Sequence, residues 1–223
     1  MNIRPFAANL TAPAGAEYFV GLDLGQARDY TAAAVLERRE TILPERNPVT
    51  WELARRLDYF VRWAGRLPLG TPYLEVAERI GQIVRSPALA GRCSLVVDAT
   101  GVGCGVVELL RRARLGCSLV PVTITGGIKP RQEDGMWLVP KKDLVVGVQL
   151  MLEAGELAIA DGLDEGPTLV KELRDMRVKI NVSGHESFEA WREGAHDDLV
   201  LAVSLACWYA RTKRPVWGTK RLI

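Results

Sequence analysis

The sequence has little of what marks several large functional classes. Its four cysteines, Cys93, Cys104, Cys117 and Cys207, make no C-x-x-C pair. A disulfide framework or a zinc ribbon is therefore not expected, and the thiols read as small apolar side chains in or beside the core, in a reducing compartment. The net charge is only +2 over 223 residues, so any nucleic-acid binding must come from local basic patches. No G-x-x-x-x-G-K-S/T is present, which excludes a P-loop, and the glycines that follow Asp98 lack the G-x-G-x-x-G spacing of a dinucleotide site. The N-terminal stretch has no apolar signal-peptide region. The longest apolar run, Leu199 to Ala210, contains Ser204 and is too short to span a bilayer. A soluble, cytoplasmic protein without membrane contact is the expectation. No internal repeat or low-complexity linker interrupts the chain.

What is there fits one α/β domain, with 48% hydrophobic and 25% charged residues. Tyr18 to Leu22 is a short apolar strand with Asp23 at its end, and Thr31 to Leu36 reads as the strand returning after a turn at Gly25. The charged stretch Arg38 to Asn47 reads as a loop or strand edge, and Leu57 to Trp63 as a third strand. Thr71 and Pro72 suggest a capped start for a helix over Leu74 to Val84. Strand Leu95 to Asp98, helix Val106 to Arg114 and strand Cys117 to Ile124 continue an alternation typical of α/β sheets. Gly126 to Gly135 reads as a polar loop. Further on come a helix Leu144 to Glu153, a strand Leu157 to Ile159, a helix Thr168 to Met176, and a hairpin of Val178 to Val182 with Ser187 to Trp191. A final helix ends near Ala210.

Three of these elements, far apart in sequence, deliver acid at an element end. Asp23 closes the first strand, Asp98 closes a Val-Val strand before a glycine-rich turn, and Asp197-Asp198 open the apolar last helix. Strand-end aspartates also cap turns, and acids in a first helical turn complement its dipole. Two adjacent acids behind His196, ahead of a helix that must be buried, exceed what capping needs. Ligands gather at the carboxyl ends of strands in open α/β sheets. Several carboxylates suit Mg²⁺ or Mn²⁺, and two such ions about 4 Å apart can activate water and stabilise a leaving phosphodiester oxygen.

The motifs GLDLG-x3-DYTAAAVL, VVDATGVG and GAHDDLVLAVSLA resemble the three acidic motifs of the nuclease domain of large terminase subunits. Those are DNA-packaging proteins of tailed phages with a ribonuclease H-like fold. VPKKDLVVGVQLMLEAGELAI is similar to the helix-and-strand insert of these domains. The resemblance covers most of the chain, and the ATPase half of a terminase has no counterpart in it. It implies a mixed central sheet flanked by helices over 17–211, between an N-terminal arm, 1–16, and a basic tail, 212–223. It also implies that Asp23, Asp98, and one or both of Asp197 and Asp198 bind two Mg²⁺ or Mn²⁺ and cleave double-stranded DNA. A packaging ATPase, a small terminase subunit and a portal are the partners it suggests.

Lys141 and Lys142, with Lys129 and Arg131, are candidates for phosphate contacts, although a solvated lysine pair before a helix is an equal reading. His196 either caps the helix or assists at the acids, and Asp29 serves the first turn or reaches the site from it. Trp63, Trp191 and Trp208 read as core. Rival readings are a Holliday-junction resolvase or other ribonuclease H-like nuclease, an actin-like ATPase suggested by GLDLG, and a non-catalytic assembly module. The actin-like reading needs two such lobes, and the intact acids oppose the assembly module.

Overall fold

A computed structural model describes residues 15–25, 29–101, 103–180, 186–190 and 196–214. The first strand, β1 (Glu17–Asp23), pairs antiparallel with β2 (Ala32–Arg46), which pairs antiparallel with β3 (Leu53–Arg66). Helix α1 (Tyr73–Val84) leads to β4 (Cys93–Asp98), which returns parallel to β1. Helix α2 (Gly103–Arg112) then crosses to β5 (Ser118–Thr125), parallel to β4. A short β6 (Arg131–Glu133) and β7 (Met136–Pro140) follow, with β7 parallel to β5. Helix α3 (Lys141–Glu153), β8 (Leu157–Ile159), α4 (Gly166–Asp175), the hairpin β9 (Met176–Ile180) with β10 (Glu186–Ala190), and α5 (Asp198–Thr212) complete it. The main sheet has the order β6-β7-β5-β4-β1-β2-β3-β8, and β9 and β10 form a separate pair.

The two-residue period of the strands splits the core into two layers. Tyr18, Val20 and Leu22 of β1, with Leu95 and Val97 of β4, pack against Val76, Ile80 and Val84 of α1 and Val106 and Leu110 of α2. Phe19 of β1 and Ala32, Ala34 and Leu36 of β2 face the opposite way, onto Leu199, Ala202, Val203 and Ala206 of α5. Val96, Val120 and Val122 on that same side meet Leu144 and Leu205. Helix α5 is buried almost all round, as an uninterrupted apolar run requires. Asp23 and Asp98 therefore fall on the α5 side by parity, as the next odd residue of β1 and the next even residue of β4.

One contact sets the depth of α5. A Cβ on Gly21 would lie 1.9 Å from the carbonyl oxygen of Ala202, so helix backbone rests directly on strand backbone there. Ala202 is one turn after Asp198, and Gly21 is two residues before Asp23. The contact thus brings the acidic start of α5 to the acidic end of β1.

Several sequence expectations change. Strand β2 runs on to Arg46 because β3 pairs with it throughout, and its charges find cross-strand partners such as Arg55 Nη1 to Glu40 Oε1 at 2.5 Å. The expected polar loop, Gly126 to Gly135, contains β6 and runs into the hairpin β6–β7, turning on Asp134 (φ 47°) and Gly135 (φ 76°). Two successive positive φ values are those of a two-residue type I′ turn, which the Asp-Gly pair favours. Lys141 and Lys142 are inside α3, not ahead of it. Thr71 does not cap α1: its hydroxyl donates to the Pro68 carbonyl at 2.6 Å, and Pro72 stands at the cap position.

Cys104 is exposed, unlike Cys93 and Cys207, and all four thiols are free. Trp63 and Trp208 pack at the edge of the core, whereas Trp191 lies outside the described residues, as does most of the arm and the tail. Within the tail, Lys213 Nζ sits 3.4 Å from Glu17 Oε1. Among the described residues no helix is long and apolar enough to cross a membrane.

Gly21→Ala tests the close contact. A methyl group there meets backbone that cannot rotate away, so α5 must lift off β1. The expected cost is about 3 kcal/mol, the upper part of the usual overpacking range, read as a lower denaturant midpoint. A midpoint within about 0.5 kcal/mol of the parent, the range of an innocuous surface change, contradicts the contact.

Candidate metal centre

Asp23 is buried at the end of β1, and in the parallel register its neighbour on β4 is Asp98, one residue beyond the Leu22–Val97 pair. The two carboxyls are close enough for each to influence the other's ionisation. Asp98 Oδ1 also accepts from the Thr100 backbone N–H at 2.8 Å and the Thr100 hydroxyl at 2.5 Å. Thr100 Oγ1 in turn accepts the Ile124 N–H at 2.9 Å, which ties the turn after β4 to β5. The turn after β4 thus orients one oxygen of Asp98.

The final helix supplies two acids with different surroundings. Asp197, at the N-cap position, accepts from Lys141 Nζ at 2.9 Å. Lys141 is the first residue of α3, so its ammonium adds to the positive end of that helix dipole. Asp198 is buried, with Arg66 Nη2 at 3.5 Å and His196 Nδ1 at 3.6 Å from its Oδ2. Neither group makes a hydrogen bond to that oxygen, which is buried without a partner among the described residues. Gly25, just after β1, lies hard against the backbone of Asp29: a Cβ on it would meet the Asp29 carbonyl oxygen at 2.2 Å. Ligand atoms of Asp29, His196 and Asp198 lie within 4.8 Å of one another, the group of ion-binding size among the described residues.

Crowded acid in a dry site resists ionisation. Burial, and then repulsion from Asp98, Asp198 and Asp197, hold the Asp23 carboxyl well above the ordinary range. Burial raises Asp98 too, while the Thr100 donors pull the other way. Asp198 is pushed up to about 6 by burial against the pull of Arg66 and His196.

Sequence reasoning placed Asp23, Asp98, Asp197 and Asp198 near one another, and the fold brings all four to one side of the sheet. His196 does not cap α5. That task falls to Glu172 of α4, whose Oε2 accepts the backbone N–H groups of Leu199 and Val200, both at 3.1 Å. Its Oε1 is ion-paired with Arg66, whose guanidinium lies 5.0 Å from the centre of the Tyr30 ring. Tyr30 packs edge-on against His196 with ring centroids 5.0 Å apart. Glu172, Arg66 and Tyr30 were missed. A signal for Glu172 existed: it follows Leu169 by three residues, on the apolar face of α4, where a charge needs a partner. Of the basic candidates, Lys141 belongs to the acid cluster. Lys142 and Lys129 are exposed, and exposed Arg131 pairs with Glu133 at 2.6 Å on β6.

The chain matches no protein-family model and no curated protein in sequence. Its structure is similar to the large terminase nuclease from thermophilic phage G20c, with a TM-score of 0.59 and 21% identity over 87% of this chain and 83% of that one. The same nuclease with bound magnesium gives 0.58 and 22%, over 88% and 82%. The large terminase nuclease domain from bacteriophage SPP1 with bound Mn gives 0.51 and 11%, over 88% and 87%. The shared architecture is the ribonuclease H-like fold, a mixed eight-stranded sheet flanked by helices.

Two outcomes follow from the geometry. Glu172→Ala removes the acceptor of two helix N–H groups and strands Arg66, and should cost about 3 kcal/mol; Glu172→Gln, which keeps an acceptor, should cost less. Equal, negligible losses in urea melts of both would contradict the capping role.

The second outcome concerns pH. Asp198 moves from 3.8 to about 6 and Glu172 from 4.5 to about 7, so both are harder to ionise in the folded chain. Their stabilising contribution is complete below about pH 4 and is lost as pH rises through 6 to 7. In EDTA, stability should fall across that window, and Asp198→Asn should flatten the fall. A variant with an undiminished slope would contradict the assignment.

Proposed function

We propose that this chain is a divalent-metal-dependent endonuclease that cleaves double-stranded DNA, working as the nuclease part of a phage DNA-packaging machine. The observation that carries the reading is the buried Asp198 Oδ2, which has no hydrogen-bond partner among the described residues and belongs to a cluster of four aspartates from three separate elements. A fold built only for docking gains nothing from such an arrangement, because an unpartnered buried carboxylate oxygen is costly. The donor set is all hard oxygen apart from His196, which suits Mg²⁺ or Mn²⁺. The fold is also that of nucleases solved with magnesium and manganese.

Two ions would be held by Asp23 and Asp98 at the strand ends and by Asp197 and Asp198 at the start of α5, with Asp29 and His196 close to the latter. Bound there, divalent ions supply a more acidic water and charge neutralisation at the leaving 3′ oxygen. The protein's own part is orientation. Thr100 fixes the Asp98 carboxylate, Lys141 fixes Asp197, and Glu172 with Arg66 holds the first turn of α5. Lys142, Lys129 and Arg131 lie on the exposed side of the β5–α3 region and would meet phosphates there. A packaging ATPase, a small terminase subunit and a portal are the proposed partners, and the cytoplasm of a host cell the proposed location.

The test is cleavage of supercoiled plasmid. Activity should require Mn²⁺ or Mg²⁺, show little sequence preference, and disappear in Asp23→Asn and Asp98→Asn. In the same buffers, metal at a hundredfold excess over its dissociation constant should stabilise the parent by about 2.7 kcal/mol, and the variants much less. Full cleavage in excess EDTA, or by both variants, would overturn the reading.

A further inference from the structure

At the far end of the sheet from the acids, a second group of reactive side chains has no part in the proposed chemistry. Strands β4 and β5 are parallel, with Ser94 opposite Ser118. One residue earlier, Cys93 and Cys117 lie side by side, about 5 Å apart by strand spacing. That separation falls inside the range a disulfide spans. Both thiols are free, and Cys93 Sγ donates to the Val84 carbonyl at 3.9 Å. They line a surface cavity of about 510 Å³, together with Arg92, Ser94, Ser118 and Lys213. Cys117 is half-buried and Cys93 almost wholly buried, so a reagent entering the cavity meets Cys117 first.

We propose that Cys93 and Cys117 form a dithiol site that exchanges with low-molecular-weight disulfides and closes into a Cys93–Cys117 bond tying β4 to β5. The neighbouring Cys93 thiol, followed by the Leu95 backbone and the Arg85 charge, lowers the pKa of the Cys117 thiol, against the effect of burial. Cys93 is shifted the other way, by its Cys117 neighbour and by burial. Exposure assigns the steps, because Cys117 is half-buried and Cys93 almost wholly buried. Cys117 thiolate attacks one sulfur of the disulfide, forming a mixed disulfide and expelling one thiolate. Cys93 then loses its proton and attacks the Cys117 sulfur, forming the protein disulfide and releasing the second thiol. One disulfide is reduced to two thiols while the two cysteines are oxidised to one bond. The site is about 16 Å from Asp98, five residues along β4, so the bond forms without touching the acids.

The experiment uses the full chain carrying Cys104→Ser, which removes the exposed thiol. Reduced protein is incubated with oxidised glutathione, alkylated, digested and analysed by mass spectrometry. A cross-linked peptide joining residues 93 and 117 should become the main product, reversed by dithiothreitol. Adding Cys93→Ser should stop the reaction at glutathione on Cys117, and Cys117→Ser should leave Cys93 unmodified. The proposal is overturned if both thiols remain fully alkylatable after incubation, or if glutathione stays on Cys117 with Cys93 intact. The readout is thiol chemistry alone, so it stands or falls independently of DNA cleavage. The parent measurement decides even where a serine variant does not fold.

Discussion

The approach of Ala202 to Gly21 is the constraint on which the site depends. A helix normally rests on a sheet through two layers of side chains, roughly 10 Å from axis to strand. Here the strand contributes no side chain at the crossing and the helix contributes alanines at 202 and 206, so the backbones touch. Only at that depth can short aspartate side chains from the end of β1 and the start of α5 share one space. A larger residue at position 21 would keep all four acids in the sequence and pull the second pair away from the first.

Holding them together is unfavourable without metal, and the surroundings divide the cost. Two helix N-termini face the cluster: α3 with Lys141 on Asp197, and α5 beneath Asp198. Both present positive dipole ends to negative charge. Arg66 is shared between Glu172 and Asp198, but its bond goes to Glu172. Asp198 Oδ2 is left with attraction at 3.5 Å and no donor among the described residues. The arrangement neutralises enough charge to fold and leaves oxygen lone pairs available to an ion, which a fully satisfied network would not.

Much of this was legible in the sequence because acids at the ends of apolar elements violate a local rule. Asp23 and Asp98 each follow buried-type strand residues, and Asp197-Asp198 precede a helix with no polar face. The alternation of elements carried the sheet, and the glycines after Asp98 carried the turn. What escaped was determined by pairing at a distance. The charged half of β2 has no apolar alternation, and its strand character comes from β3 alongside. Arg66 and Tyr30 acquire their positions only when α4 docks against α5. The β6–β7 hairpin is a different case: Asp134-Gly135 was a local signal, hidden by the polar residues around it.

The same logic extends to the other end of α5. Burying a helix on nearly every side removes water from its terminal carbonyls as well as its first N–H groups. Arg38, buried on β2 with Phe19 beneath its guanidinium at 5.1 Å, donates to the carbonyls of Ala210 and of Lys213, the latter at 2.6 Å, and pairs with Glu17. So α5 is held at its start by a carboxylate from α4 and at its end by a guanidinium from β2, with glycine-to-alanine contact between. Apolar packing alone would let a smooth helix slide or rotate over the sheet, because its burial is nearly the same at every angle. The polar ends fix the register that apolar packing leaves open. A shift of one residue along α5 would move its acids by about 1.5 Å and rotate them by about 100°, out of reach of Asp23 and Asp98.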